Sequence, residues 1–237
     1  KGQIVIFSDA NSLYPGQSIS RIVENFADES VGCVTGYTKY ISKKGDTVVD
    51  SLSVYSLLEK FTKELETSLG SCVGADGAIF AIRKRLYEPL GEADINDFVI
   101  PLRIIARGYR IVIESEAFCF EETAKDPARE FSRQVRITNR TLRAIFSNRH
   151  LLNGKGMRLF YFELVSHKMF KFLVPFFMAA ILLSNMFLTG RKWYYATSLL
   201  LQGCFYAFST PWASKLRDSN IEKAASLCRT FVVVNLA

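Results

Sequence analysis

The chain opens on four bulky apolar residues, Ile4 to Phe7, that stop abruptly at Ser8-Asp9-Ala10-Asn11. A short continuous apolar run predicts a strand buried on both faces, as in the parallel sheet of an α/β domain. Polar residues straight after it fall at the strand's carboxyl end, where open α/β sheets hold their ligands. Next, "SISRIVENFA" sets Ile19, Ile22, Val23 and Phe26 at helical spacing, and the apolar "VGCVTGY" follows as a second strand. "SLSVYSLLEKFTKELETSLG" repeats the helical period through Leu52, Tyr55, Leu58, Leu65 and Leu69, with Gly70 as its stop. A short strand is expected around Ala78 to Ile82, then a helix from Asp97 ended by Gly108, then a strand from Arg110 to Glu114. The alternation predicts an α/β domain with parallel pairing.

The pattern changes at Phe170. "FKFLVPFFMAAILLSNMFL" carries one charge, Lys171, close enough to its start to snorkel, and is long enough to span a bilayer. Trp193 to Trp212 is a second uncharged stretch with aromatic residues at both ends, like an interfacial belt. Three regions follow: residues 1–124, 125–169 as basic interface helices, and 170–237 as membrane helices at about 170–188 and 193–212, with a third starting near 226.

Charge sharpens this division. Residues 1–124 hold 13 Lys+Arg against 18 Asp+Glu, residues 125–171 hold 11 against 3, and the remainder holds 6 against 2. The basic excess is local, which removes the argument for a nucleic-acid partner. By the positive-inside rule, the basic stretch before Phe170 and the loop with Lys215, Arg217, Lys223 and Arg229 belong on the cytoplasmic side. The turn at Arg191-Lys192 then faces outward but is outnumbered. A multi-pass protein of the cell membrane with its α/β domain in the cytoplasm is expected. Lys at position 1 and the apolar run at 230–237 make the chain read as a fragment. Five cysteines without CxxC spacing argue against a disulfide framework or zinc site. With only two His, a metal would be oxygen-bound, hence a hard cation such as Mg²⁺ or Mn²⁺.

Three constellations carry candidate chemistry. Asp9 and Asn11 could reach one divalent cation, or they could simply close a turn. Asp97 opens a predicted helix, where it serves either as the N-cap or as a general base. In "DPAREFSRQVRITNRTLRAIF", Asp126 and Pro127 start a helix on which Arg129, Arg133, Arg136, Arg140 and Arg143 recur. At 100° per residue these five fall within roughly an 80° arc, opposite Phe131, Val135, Leu142, Ile145 and Phe146. Such a stripe suits a diphosphate, acidic lipid headgroups or plain solvent, and Gln134 lies off it.

Taken in order, "IVIFSDANSLY", "VGCVTGY", "GADGAIFAIRK", "INDFVIPLRI", "RQVRITN" and "VSHKMFKFLVPF" resemble the membrane-bound family 2 glycosyltransferases, the group of cellulose and hyaluronan synthases and their bacterial relatives. The resemblance covers nearly the whole chain. It implies an α/β fold: a partial GT-A (Rossmann-like) glycosyltransferase domain followed by C-terminal transmembrane helices. It also implies inverting transfer of a sugar from a nucleotide-diphosphate donor to a glycan or lipid-linked acceptor, with Mg²⁺ or Mn²⁺, in cell-envelope glycan synthesis. Asp9 then matches the first acid of the DxD motif, with Asn11 where the second acid usually sits. Asp97 matches the last acid of the TED-like motif and is implied to be the base. Gly74, Ala75, Asp76 and Gly77 resemble the acceptor-side loop. Arg133, Gln134 and Arg136 resemble the Q/R-Q-x-R-W motif at the donor diphosphate, with Ile137 in place of the Trp of the acceptor floor. That replacement raises single addition to a polyprenyl or other lipid acceptor as an alternative, and Asn11 raises an inactive membrane scaffold. Because the family's nucleotide-base contacts precede residue 1, this chain alone is expected to be inactive.

Overall fold

The structure, a computed structural model, describes residues 2–41, 47–92, 94–122, 127–149, 151, 157–210 and 219–236. Asp126, the end of the second apolar stretch at Trp212, and Lys215 and Arg217 lie outside them, as do the side chains of Arg129 and Lys223.

Among the described residues four strands form one sheet in the order β1-β3-β2-β4, with β1 at Ile4–Ser8, β2 at Val31–Ile41, β3 at Ile79–Arg83 and β4 at Arg110–Glu122. The parallel sheet expected from the alternation is corrected to a mixed one. β3 runs antiparallel to both β1 and β2, and only β2 and β4 pair in parallel. β1 and β2 keep the same direction but are not neighbours, because β3 inserts between them. Sequence periodicity reports strands, whereas insertion order depends on partners distant in the chain.

The same topology makes β1 an edge strand. Its side chains are half-buried, and Ile6 is exposed, so the two-sided burial expected of Ile4 to Phe7 does not hold. The two-sided core belongs to β3, where Ile79 to Ile82 are fully buried, with Phe80 stacked on Phe7 at a centroid distance of 4.4 Å. β4 is longer than expected, continuing eight residues past Glu114 to carry Phe118, Phe120 and Glu121 toward the site.

Helices flank the sheet: α1 (Ser18–Glu24), α2 (Thr47–Leu69), α3 (Asn96–Ala106) and α4 (Pro127–Ser147). α3 packs Phe98, Val99 and Leu102 against Ala144 and Ile145 of α4, which fixes α4 beside the start of α3. It ends before Gly108, whose φ of +84° favours glycine. On α4 the buried side comprises Thr141, Ala144 and Ile145, continued by Asn148 just past its end, while Phe131 and Phe146 are exposed. The apolar face drawn from spacing is thus only partly the packing face.

α5 (Arg158–Leu164) passes through a π-helical turn, Val165–Met169, into α6 (Phe170–Leu188), which pairs with α7 (Trp193–Ser209) and α8 (Ser219–Leu236). Arg158–Leu188 is long and apolar enough, by length and composition, to cross a membrane, and only 6% of its apolar window is buried. Phe187 and Trp193 at the α6–α7 turn are 84% and 77% exposed. Between these apolar helices the amide groups donate across: Asn185 to Ser198 at 2.8 Å and Gln202 to the Met178 carbonyl at 3.0 Å, while Gln202 Oε1 is buried without a partner.

Candidate active site

Each predicted loop ends at the same side of the sheet. After β1 the chain turns through Asp9 to Asn11, both exposed. Leu13 then pairs with Phe120 in a short antiparallel bridge, with N···O distances of 2.9 and 2.8 Å. Ser12 donates to Glu121 at 2.7 Å and the Tyr14 hydroxyl to the Ala78 carbonyl at 2.6 Å. These ties hold the Asp9 turn against the ends of β3 and β4.

The loop Gly74 to Gly77 comes next. Gly74 needs its positive φ of 76°. Asp76 is clamped by β2: its N–H donates to Thr35 Oγ1 at 2.8 Å, and Thr38 Oγ1 donates to its carboxylate at 2.9 Å. Ala75 N–H donates to the Asp97 carbonyl at 2.7 Å, which ties this loop to the start of α3. A Cβ on Gly77 would sit 3.3 Å from Asp97 Oδ2, so glycine lets that carboxylate lie directly over the loop.

Asp97 is not the N-cap of α3. Ile95 occupies that position, and Asn96 Oδ1 accepts the Asp97 N–H at 2.9 Å. Its side chain is thus released from capping and opens into a cavity of about 300 Å³ also lined by Ala75, Gln134, Ile137, Lys168, Phe172 and Val234. Burial raises the Asp97 carboxyl above its ordinary range, opposed by Lys168 and Lys63 and reinforced by Asp76. A carboxylate with elevated proton affinity on the wall of a cavity is suited to accept a proton.

A second electrostatic group surrounds Asp76. Burial first, then the fields of Asp9 and Asp76, raise the Glu121 carboxyl, while its Ser12 hydrogen bond and Arg133 work the other way. Tyr40 hydrogen-bonds Arg133 and is pushed up to about 12, chiefly by burial. Asp9, Asp76, Glu121, Tyr40 and Arg133 therefore share one electrostatic neighbourhood, and Asp76 links it to Asp97.

The arginine stripe does not converge. Arg133 turns to Tyr40, whereas Arg140 and Arg143 line a separate open groove with Glu92 and Asp94. Arg136 is exposed and makes no ion pair among the described residues. Gln134, off the stripe by spacing, lines the Asp97 cavity. Glu121, Thr38, Tyr40 and Lys168 escaped the sequence analysis. Only the long apolar-polar run of β4 carried any signal for Glu121.

Among the described residues no cluster of three or more His, Cys, Asp or Glu side chains is set to hold a metal. The donor chemistry at the Asp9 turn still fits a hard cation, since Mg²⁺ or Mn²⁺ is commonly held by one or two carboxylates, with waters and substrate phosphates supplying the rest.

Beneath the cavity, Glu59 of α2 is surrounded by cations. Burial would raise its carboxyl, but Lys168, His167 and Lys63 hold it well below the ordinary 4.5. A depressed folded pKa stabilises the protein above the unfolded value and loses that contribution as pH falls through the folded one. The melting temperature is therefore expected to decline as pH drops below 4.5, and scanning calorimetry at stepped pH checks it.

No protein-family model matches the chain. No curated protein matches it either. Among solved structures, the chain is similar to a mannosyltransferase from Pyrobaculum calidifontis in complex with GDP-Man and Mn²⁺, with a TM-score of 0.62 and 20% identity. The match covers 100% of this chain and 63% of that one, so the chain spans under two thirds of its neighbour's length. The mixed α/β sheet with its flanking helices is thus a glycosyltransferase-type fold.

Proposed function

We propose that the protein is a glycosyltransferase that moves a sugar, with inversion, from a nucleotide-diphosphate donor to an acceptor hydroxyl at the cytoplasmic face of the cell membrane. The observation that carries this is Asp97, freed from capping and facing a cavity of about 300 Å³ on a fold of this type. In the reaction the Asp97 carboxylate takes the acceptor's proton as its oxygen bonds the anomeric carbon. The bond from that carbon to the diphosphate breaks, its electron pair leaves with the phosphate, and Asp97 later releases the proton to solvent. Arg133, with Gln134 and Arg136 on the same helix, supplies positive charge and donors for the diphosphate. Asp9 and Asn11 would hold Mg²⁺ or Mn²⁺, which when bound neutralises phosphate charge. Gly74, Ala75, Asp76 and Gly77 form the acceptor side.

The cavity favours a lipid-linked acceptor over a free glycan. Its wall continues from Asp97 to Phe172 and Pro175 of α6 and Val234 of α8, so a polar head at the base can extend an apolar tail toward the membrane helices. Ile137, also on that wall, supports single addition rather than a growing polymer. An inactive scaffold on this fold is the second reading, motivated by Asn11.

The full-length protein, purified in detergent with Mn²⁺, is expected to release nucleoside diphosphate from one of a panel of GDP- and UDP-sugars, faster when a polyprenyl phosphate is added. No release from any donor, with or without lipid, supports the scaffold instead.

A further inference from the structure

The cavity that holds Asp97 has a second charged wall. Lys168, on the π-helical turn between α5 and α6, lines it. Its ammonium donates to Glu59 Oε1 at 2.9 Å, and the other Glu59 oxygen lies 3.1 Å from His167 Nε2. Lys63 approaches Glu59 at 3.9 Å. Glu66 lies 2.7 Å from His167 Nδ1 and accepts the Val73 N–H at 2.9 Å, just ahead of the Gly74 loop. Lys63 and Glu66 are almost completely buried.

Buried charges persist only when paired. Within this group three carboxylates, Glu59, Glu66 and Glu163 of α5, meet two ammonium groups and an imidazole, and Glu163 is pushed up to about 7 by burial and by Glu66. The carboxylate that shares the cavity with Lys168 is Asp97, which is faced by Lys168 from the π turn, Lys63 from α2 and Asp76 from the Gly74–Gly77 loop. Lys168 is the strongest of the opposing influences on Asp97. A π turn, which often marks functional positions, sets His167 and Lys168 together against α2.

We propose that Lys168 is a positioning residue for the transfer: held from behind by Glu59, its ammonium faces Asp97 across the cavity and keeps that carboxylate charged and aimed at the acceptor hydroxyl. This rests on Asp97 as the base. Burial alone drives a carboxyl toward its neutral form, which accepts no proton. A compact ammonium offsets that penalty without occupying the space the acceptor needs.

The test uses the full-length protein. Lys168→Met alone leaves Glu59 buried without its main partner and endangers folding, so the double variant Glu59→Gln/Lys168→Met is measured beside it. Both are expected to bind donor normally while the acidic limb of the kcat/KM profile moves up by about one pH unit. Lys168→Arg, which keeps the charge, is expected to restore the wild-type limb. A folded double variant with an unmoved limb overturns the proposal. A carbon-13 titration of the Asp97 carboxyl, assigned with Asp97→Asn, separates the two assignments. An unmoved titration in the double variant sinks the Lys168 contact. A moved titration together with full turnover in Asp97→Asn overturns the base itself and leaves the contact standing.

Discussion

Asp97→Asn is expected to lower turnover by about 10²–10⁴-fold, the usual worth of a positioned general base. Asparagine keeps the size and the hydrogen bond from the backbone N–H to Asn96, so α3 and the tie to Ala75 survive. What disappears is the ability to accept a proton. Donor affinity should change by no more than a factor of about two, because the lost interaction belongs to the transition state rather than to donor binding. Steady-state kinetics with saturating acceptor, paired with donor titration calorimetry, resolve the two effects. Turnover within a factor of about ten of wild type would remove Asp97 from its role.

The second large effect is on stability. Gly36 stands where the β2–β4 pairing shifts register, between Thr35 opposite Ile113 and Tyr37 opposite Phe118. A Cβ there would lie 2.5 Å from the Ala117 carbonyl oxygen and 3.1 Å from Ile79 Cδ1. The first of these is backbone in a paired strand and cannot swing aside. Gly36→Ala is therefore expected to cost about 1–3 kcal/mol and to lower the melting temperature by about 2–10 °C. Gly16→Ala is the matched control, since nothing lies within 4 Å of its added Cβ. Thermal melts of both variants decide it, and equal melting temperatures would show the strands adapting freely. A shift in β2 would also reach the site, because Thr35 and Thr38 hold Asp76 on either side of Gly36.

Much of this was legible in the residues. Local patterns carry local structure, so the strand from Ile4, the helix over Leu52 to Leu69 and the helix from Phe170 fall where spacing places them. Asp97 and the Gly74–Gly77 loop, read separately from the sequence, meet through the Ala75 N–H. Sheet order was not legible, because the insertion of β3 between β1 and β2 is decided by long-range pairing that no window of sequence contains. What the arginine stripe meets was not legible for a related reason. Angular position on an ideal helix says which residues share a face, not which neighbour that face meets, and Arg133 and Arg140 meet different ones. Lys168 was hidden because its partner Glu59 lies more than a hundred positions away.

The π turn at Val165–Met169 has a geometric corollary for the helices beyond it. A wider turn accommodates one surplus residue in an otherwise 3.6-fold spiral, so α6 continues nearly in phase with α5 while the turn itself bulges outward. Excising a single residue there would let the spiral close up with Phe172 and Pro175 still bordering the chamber. The bulge would be gone, however, and His167 and Lys168 could no longer both reach across to α2. Length at this joint, more than side-chain identity, decides whether α2 meets two basic side chains or one.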